Sequence, residues 1–525
     1  MTGNPKSFRY GKDHLSPAKA LDLSRNPHNG SLTPEVIKQV DACRQIIRRI
    51  VDEKRTVYGV NTGFGPLCTT AISREETEQL QVNILRSHSV GMGEPVHSEI
   101  IRLMLVLKVH ALARGFSGVS PDTLRRIIWH LEKNIIPVVP SQGSVGASGD
   151  LAPLAHLFLP LIGQGQVCYQ GIITETSHVL HQEGLKPVVL GPKEGLALIN
   201  GTQFMAAHGV TALERFKNCL DTADIIGAMT LEALLGSEKP FLPELHALRP
   251  YAGSQHVAHR LKALLAGSEM VASHAQCNRV QDPYSLRCMP QVHGASRNAW
   301  LHLKEILTVE INAVTDNPII LEDGQAVSGG NFHGQPIAIP MDYAAVAAAE
   351  LGNISDRRSY LLLEGMEGLP KLLMRHTGIN SGFMIPQYTS AALVTENKIL
   401  CFPASADSIP TSLGQEDHVS MGAISARKLH TILDNLEKIL AVELLCAAQA
   451  FDYRHPLKSS HILETVHSCV RTKIDHAEED RVFSRDLNTA QGMIRNGDFV
   501  RTADEAARAK HIDLNGEDHE RFSLS

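Results

Sequence analysis

A chain of 525 residues with 43% hydrophobic and 20% charged residues has the composition of a well-packed globular protein, and its length favours roughly 2–4 domains. The net charge of −6 does not favour nucleic acid, no apolar stretch approaches the ~20 residues of a membrane helix, and the N-terminal residues are too polar for a secretory signal. Nine cysteines without a C-x-x-C pair argue against a zinc cage or a disulfide framework, so we expect buried free thiols in a cytoplasmic protein.

Helix signals recur along the chain. Thr33-Pro34 reads as an N-cap with proline at the first helical position, and apolar residues then recur at three- and four-residue steps up to Ile50. Ser120-Pro121 repeats the same start signal. The alanine- and leucine-rich stretch from Tyr343 to Glu364 and the apolar face from Leu429 towards Ala450 are typical of long helices buried in a bundle. The sequence therefore predicts a mainly α protein.

Two features interrupt the helical pattern. Ile319-Ile320-Leu321, a turn at Asp323-Gly324 and then Ala326-Val327 predict a short β-hairpin. Beyond about Arg501 the chain is charged and poor in large apolar residues, so we expect its end to be frayed. We divide the chain into an N-terminal region over 1–200 and a helical bundle over 201–525.

The segment Gly143–Asp150, which reads GSVGASGD, carries the most chemical information. Taken alone, it fits a flexible loop with Asp150 as N-cap of the next helix, or an anion cradle at that helix. A phosphate loop is excluded because no Gly-Lys-Ser/Thr follows. The order Ala147-Ser148-Gly149 also permits cyclisation, since the Gly149 amide nitrogen can attack the Ala147 carbonyl. Loss of two waters would leave a five-membered ring with an exocyclic methylene at Ser148, which is a strong electrophile.

Four further segments extend the pattern in chain order. They are Tyr58-Gly-Val-Asn-Thr-Gly-Phe-Gly65, Asn200-Gly-Thr-Gln203, Gln281-Asp-Pro-Tyr-Ser-Leu-Arg-Cys288 and Gly330-Asn-Phe-His-Gly334. Together with Ala147-Ser148-Gly149-Asp150, these segments resemble the aromatic amino-acid ammonia-lyases and aminomutases, and the resemblance spans about Tyr58 to Arg427. The prosthetic group of that family is methylidene-imidazolone (MIO), which the resemblance implies is formed here from Ala147, Ser148 and Gly149 without a metal or a diffusible cofactor.

The resemblance implies catalytic roles for single residues. Tyr58 is the base that removes the β-proton, Tyr284 assists proton transfer and the amine, and Arg287 holds the substrate carboxylate with its planar fork. Three more residues are placed around the electrophile, where Asn200 would bond the ring carbonyl: Asn200, Gln281 and Phe332. Taken alone, each of these residues also fits an ordinary structural role, such as a surface tyrosine, an ion pair or core packing.

Two positions bear on the substrate. His88 lies in the segment that contacts the substrate ring in this family and occurs in members acting on histidine or tyrosine, so it disfavours phenylalanine. Glu416, in Gln415-Glu416-Asp417-His418, resembles the version found in members acting on histidine, although Gly414 departs from their usual asparagine. A buried Glu416 would accept a hydrogen bond from an imidazole N–H and would be an unpaired charge against a phenyl ring. The alternative is an acidic residue at the start of the helix that contains Leu429.

We therefore expect an enzyme that converts L-histidine into trans-urocanate and ammonia. The resemblance also implies a homotetramer whose active sites are shared between subunits. A tyrosine or phenylalanine ammonia-lyase or an aminomutase would share the electrophile and differ at the pocket. The fumarase-like lyases are disfavoured because their Gly-Ser-Ser-x-Met-Pro-x-Lys signature is absent. A non-catalytic helical interaction protein would have no reason to keep Ala147-Ser148-Gly149, Tyr58 and Arg287 together.

Overall fold

The computed structural model describes residues 7–63, 65, 72–275 and 279–525. Phe64 of the Tyr58 loop, two of the predicted thiols, Cys68 and Cys277, and residues 1–6 of the polar N-terminus lie outside the described residues.

The described chain is mainly helical, which confirms the predicted fold class. Its α-helices span Pro17–Arg25, Pro34–Asp52, Arg74–His88, Ser98–Leu112, Pro121–Glu132, Leu151–Phe158, Thr176–Gln182, Glu194–Ile199, Gln203–Ala233, Pro243–Ala247, Ala252–Leu265, Glu269–Ser273, Tyr284–Arg287, Met289–Glu310, Gln335–Leu363, Met384–Leu400, Gly422–Asp452, His461–Arg471, Phe483–Arg495 and Asp498–Ala509. Short 3-10 helices span Pro27–Asn29, Leu159–Ile162, Lys239–Phe241, Met366–Gly368, Lys371–Leu373, Ala404–Ala406 and Ser412–Gly414.

The strands of the described chain are short, with two to four residues each. Phe8–Arg9 pairs in parallel with Gly30–Ser31, whereas the other pairs are antiparallel. These antiparallel groups are Met92–Pro95 with Pro140–Gln142, Ile136–Pro137 with Gln166–Tyr169 and Ile172–Glu175, and Ile319–Ile320 with Ala326–Val327. The last pair confirms the predicted hairpin, with Ile319 opposite Val327 and Ile320 opposite Ala326.

Four long helices form the centre of the bundle: Gln203–Ala233, Met289–Glu310, Gln335–Leu363 and Gly422–Asp452. Small residues let them approach closely; a Cβ on Gly352, for example, would lie 3.1 Å from the Ile439 side chain. The hydrophobic core continues from Phe8 to Phe522 and therefore crosses residue 200. The division into 1–200 and 201–525 stays a prediction.

The predicted helix starts at Thr33 and Ser120 are confirmed. The Thr33 hydroxyl accepts a hydrogen bond from the Val36 amide at 3.4 Å, and the Ser120 hydroxyl accepts one from the Thr123 amide at 3.2 Å. Both caps satisfy backbone donors that have no partner inside the helix.

Two expectations were wrong. The C-terminal region is not frayed, because residues Asp498–Ala509 form a helix and Phe522 is buried against the ring of His256 at 4.7 Å between centroids. The buried face of that helix consists of one phenylalanine and three alanines, which a search for large apolar residues overlooks.

Of the seven described cysteines, all are free thiols, but only Cys43, Cys219 and Cys446 are buried. None of the helices in the described ranges combines the length and apolar character that a membrane crossing requires.

Candidate active site

Gly149 brings the Ala147-Ser148-Gly149 segment against the backbone that precedes the central helix Gln203–Ala233. Gly149 and Gly201 form an isolated parallel bridge, and the Asp150 amide donates to the Gly201 carbonyl at 2.7 Å. Gly149 has φ +76°, and a Cβ there would overlap the Gly201 carbonyl oxygen. Only glycine fits this position, because both the left-handed backbone and the close approach exclude a side chain.

Asn200 holds the carbonyl of Ser148. Its side-chain Nδ2 donates to the Ser148 carbonyl oxygen at 2.7 Å, and Asn200 itself is buried at the end of the helix Glu194–Ile199. The Asn200 amide donates to Leu196 O at 3.0 Å, and Lys108 Nζ donates to the Asn200 carbonyl at 2.6 Å. Because hydrogen bonds hold both the backbone amide and the backbone carbonyl of Asn200, its side-chain amide is a preorganised donor at the Ser148 carbonyl.

Asp150 does not cap the helix that follows it. It occupies the N-cap position of Leu151–Phe158, but its side chain makes no capping bond there. Instead, Asp150 Oδ2 accepts a hydrogen bond from the Met205 amide at 3.0 Å, in the first turn of Gln203–Ala233. Tertiary contact thus overrides the local capping pattern. Burial raises the pKa of Asp150 to about 7, and burial also lowers the pKa of the neighbouring Lys108 to about 7.

A cavity of about 1010 Å³ opens over Ser148. Several residues predicted for the site line it: Tyr58, His88, Ala147, Ser148, Asn200, Phe332 and Glu416. Gly149 lies at a smaller adjoining cavity of about 220 Å³ that also reaches His88 and Glu416. The fold therefore brings residues that are far apart in the sequence together around one cavity.

The loop that carries Tyr58 is folded by its own polar groups. Asn61 Oδ1 accepts from the Val57 amide at 2.9 Å, and Thr62 Oγ1 accepts from the Gly59 amide at 3.1 Å. Tyr58 is half-buried against the core, and its phenolic oxygen accepts a hydrogen bond from the Gly65 amide at 3.2 Å. A donor to this oxygen stabilises a phenolate, which is the form a base requires.

Glu416 faces the serine of the electrophile segment. Ser148 Oγ donates to Glu416 Oε1 at 2.8 Å, across 268 positions of sequence. Glu416 is half-buried rather than buried as expected, because it lies on the wall of an open cavity. The alternative role at a helix start is wrong, since the following helix begins only at Gly422. Burial lowers the pKa of His88 on the same cavity, while a hydrogen bond at the Ile84 backbone and the charge of Glu416 oppose that shift.

Gln281, Tyr284 and Arg287 form a separate unit on the surface. Arg287 Nη2 donates to Gln281 Oε1 at 3.0 Å and its Nε to the Asp282 carbonyl at 3.1 Å, while the guanidinium lies 4.6 Å from the centre of the Tyr284 ring. Tyr284 is 71% exposed. Within the described residues of one chain, none of these three lines the cavity over Ser148.

Three other residues near the site were not selected from the sequence: Lys108, Thr411 and Ser412. Lys108 is buried beneath Asn200, and its position as a lone charge in the apolar run Leu103–Leu112 was a signal that could have identified it. Thr411 and Ser412 donate to Glu416, but two adjacent hydroxyl residues in a loop carry no recognisable pattern.

Comparison with known proteins agrees with this fold and site. The sequence profile described as aromatic amino acid lyase matches residues 15–472. A histidine ammonia-lyase of Myxococcus xanthus (strain DK1622) is 46% identical over 490 residues, covering 93% of this chain and 96% of that protein. The crystal structure of a histidine ammonia-lyase from Trypanosoma cruzi matches with a TM-score of 0.89 at 40% identity, covering 98% of this chain and 97% of that one. A tyrosine aminomutase from Streptomyces globisporus matches with a TM-score of 0.90 at 34% identity, over 95% and 98%.

A mainly helical chain with this site and these relatives is a carbon–nitrogen lyase. The chain belongs to the aromatic amino acid lyase family.

Proposed function

We propose that the protein is a histidine ammonia-lyase, which converts L-histidine into trans-urocanate and ammonia. The observation that carries this proposal is the position of Glu416, whose carboxylate lies 2.8 Å from Ser148 Oγ on the wall of the cavity. The relatives that are 46% identical over nearly the whole chain are named histidine ammonia-lyase and support the same substrate.

The residues around Ser148 fit an MIO group formed from Ala147, Ser148 and Gly149. Gly149 has no side chain and Ala147 only a methyl group, so neither side chain obstructs attack of the Gly149 nitrogen on the Ala147 carbonyl. Asn200 already bonds the Ser148 carbonyl, which would become the ring carbonyl. Within the described chain, the buried Asn200 Oδ1 accepts no hydrogen bond, so this amide can adapt to the closed ring. When formed, the group supplies an electrophile that captures the amino group and makes nitrogen a better leaving group.

Side chains of the protein itself carry out proton removal, stabilise the developing charge and bind the substrate. Tyr58, through its phenolic oxygen, removes a proton from the β-carbon, and the Gly65 amide stabilises the phenolate that this requires. Asn200 holds the Ser148 carbonyl in place as negative charge develops. Phe332 closes the apolar wall of the cavity. Arg287 holds the substrate carboxylate with two parallel hydrogen bonds. Tyr284 assists proton transfer and the amine, and Gln281 lies beside the electrophile.

Glu416 selects the side chain of the substrate. An imidazole N–H can donate to its carboxylate, whereas a phenyl ring would leave that charge without a partner. His88 adds a second polar group to the ring end of the cavity. Selectivity thus arises partly from excluding apolar rings.

The test is absorbance of the unsaturated product with purified protein and L-histidine, L-tyrosine or L-phenylalanine in parallel. We expect a rise with L-histidine alone, and a rise only with L-tyrosine would contradict the assignment of Glu416. Glu416→Gln should lower kcat/KM for L-histidine about 10–100-fold, the range of a lost hydrogen bond to a charged group. Glu322→Gln, at an exposed carboxylate that does not line the cavity, is the control and should stay near the wild-type value. Ser148→Ala should abolish turnover.

The complete site requires more than one copy of the chain. Arg287, Gln281 and Tyr284 lie on the surface away from the Ser148 cavity, yet the proposed reaction needs them at the substrate. The helix Gln335–Leu363 also exposes an apolar stripe that an interface would cover: Ile339, Tyr343, Val346 and Tyr360. A homotetramer in which neighbouring subunits complete each site satisfies both observations.

Mixing two inactive variants tests this shared site. Ser148→Ala and Arg287→Ala should each be inactive alone, because each lacks one part of every site. Co-expressed in one cell, they should form mixed oligomers in which some sites combine intact Ser148 and intact Arg287, so partial activity should return. Activity that stays at the level of the single variants would contradict the shared site.

The cytoplasmic location is part of the same proposal. All seven described cysteines are free thiols, which suits a reducing compartment.

A further inference from the structure

Glu416 lies at the end of a tight loop with unusual backbone geometry. The Thr411 amide donates to the Glu416 carbonyl at 2.8 Å, and the Glu416 amide donates back to the Thr411 carbonyl at 3.4 Å. Between them, Ser412 and Leu413 have φ +51° and +55°, followed by Gly414 at +85°. Left-handed backbone is unfavourable at residues other than glycine, because the Cβ approaches the following carbonyl oxygen. Leu413 is 94% exposed, so packing of its side chain does not offset that cost.

The loop places two hydroxyl groups on one oxygen of Glu416. Thr411 Oγ1 and Ser412 Oγ each donate to Oε2 at 2.9 Å. The other oxygen, Oε1, has a different partner, since it accepts from Ser148 Oγ at 2.8 Å. The two oxygens of one carboxylate are therefore distinguished by the protein.

Ring closure would change only one side of this arrangement. If the proposed function holds, Ser148 loses its hydroxyl as water when the electrophile forms, so Oε1 loses its donor. Thr411 and Ser412 are untouched by that reaction and continue to occupy Oε2. The mature protein then presents one acceptor at the cavity, in a direction set by the two hydroxyls. A carboxylate without them would rotate, because the terminal torsion of glutamate has broad minima.

We propose that Thr411 and Ser412 are positioning residues that set substrate selectivity: their hydroxyls hold Glu416 so that Oε1 alone receives the imidazole N–H of the substrate. The inference rests on the proposed function and extends it to two residues of the cavity wall that act through Glu416. An imidazole N–H replaces the lost Ser148 donor, while an apolar ring leaves Oε1 buried against it without a partner.

A purely structural role for the two hydroxyls makes a different prediction. Ser408 also ties this segment down, because its hydroxyl accepts from the Val419 amide at 2.9 Å without contacting Glu416. If Thr411 and Ser412 only stabilised the segment, Ser408→Ala would have the same effect as their removal. Ser408→Ala is therefore the matched control.

The experiment compares two competitive inhibitors of the assembled enzyme, imidazolepropionate and phenylpropionate, which differ only in the ring. The variants are Thr411→Val, which keeps the shape, and Ser412→Gly, which removes the hydroxyl and accepts φ +51° without strain. In the double variant, we expect the inhibition constant of imidazolepropionate to rise about tenfold relative to that of phenylpropionate. This change corresponds to one lost charge-assisted hydrogen bond. Thr411→Ser should keep the wild-type ratio, and so should Ser408→Ala.

Each outcome decides the matter. An unchanged ratio in the double variant, or an equal change in Ser408→Ala, would overturn the proposal. If the double variant does not fold, the single change Ser412→Gly at an exposed position gives the same comparison. Wild-type protein that forms no urocanate from L-histidine would overturn the proposed function and this inference together. Wild-type turnover with an unchanged ratio in the variants would overturn the inference alone.

Discussion

Arg358 and Glu443 form a fully buried ion pair between two long helices of the bundle. Arg358 Nε donates to Glu443 Oε1 at 2.5 Å and Nη2 donates to Oε2 at 2.9 Å, with both side chains at 0% exposure. Thr230 Oγ1 also donates to Glu443 Oε1 at 2.9 Å, and Arg358 Nη1 lies 3.1 Å from His293 Nε2. Since arginine only donates, His293 must accept there in its neutral form and donate from Nδ1 to Asp224 at 2.8 Å.

Arg358→Met should lower the free energy of unfolding by about 3–5 kcal/mol. The methionine fills most of the volume but leaves the Glu443 carboxylate buried with Thr230 as its remaining donor, which is the expensive case for a broken buried pair. The double variant Arg358→Met with Glu443→Gln should lose less than the sum of the two single variants, by about 2 kcal/mol or more, because no charge is then left alone. Arg125→Met is the control: its pair with Asp122 is 55% and 81% exposed and is worth at most about 1 kcal/mol.

Urea denaturation followed by far-ultraviolet circular dichroism at one fixed protein concentration measures these differences. The concentration must be fixed because association contributes to the stability of an oligomer. A midpoint for Arg358→Met that falls no further than that of Arg125→Met would refute the reasoning, as would strict additivity in the double variant.

Two further predictions concern the electrophile segment. Gly149→Ala should abolish turnover of L-histidine because a Cβ there overlaps the Gly201 carbonyl, whereas Gly171→Ala, at a similar φ of +81° with open space around it, should retain turnover in the same absorbance assay. Burial raises the pKa of Asp150 from 3.8 to about 7, so between these values the folded chain holds a proton that the unfolded chain has lost, and stability falls as pH rises. The loss in the free energy of unfolding reaches about 4 kcal/mol above pH 7. Asp150→Asn should remove this pH dependence when urea midpoints are compared between pH 5 and pH 8. An unchanged pH dependence in the variant would contradict the attribution of the shifted pKa to Asp150.

The fold class could be predicted from local sequence signals. The features that could not be predicted depend on contacts between residues that are distant in the sequence. The caps at Thr33 and Ser120 depend on a hydroxyl and an amide three residues later, so the sequence contains both partners. Asp150 carries the same signal, yet its carboxylate bonds the Met205 amide 55 positions away. The burial of Phe522 likewise depends on His256, a contact that a pattern within the C-terminal segment cannot contain.

The candidate site divides in the same way. Cyclisation involves three consecutive residues, so the order Ala147-Ser148-Gly149 showed that the reaction is possible, but the choice of this reading over a flexible loop depended on the resemblance. The choice of Glu416 depended on resemblance, because its contact with Ser148 spans 268 positions. Its half-buried state is a property of the cavity and could not be read from the residues beside it.

The central helix Gln203–Ala233 links the stability of the bundle to the chemistry of the site. Its first turn supplies the Met205 amide to Asp150, and the residues just before it bring Gly201 against Gly149 and the Asn200 amide onto the Ser148 carbonyl. Further along, the same helix carries Thr230, which supports the buried Glu443. A donor aimed at developing charge is effective only if it need not reorganise during the reaction. Asn200 meets this condition just before the helix, because Lys108 Nζ donates to its carbonyl and its backbone amide donates to the Leu196 carbonyl, so its side chain is held in place at the Ser148 carbonyl.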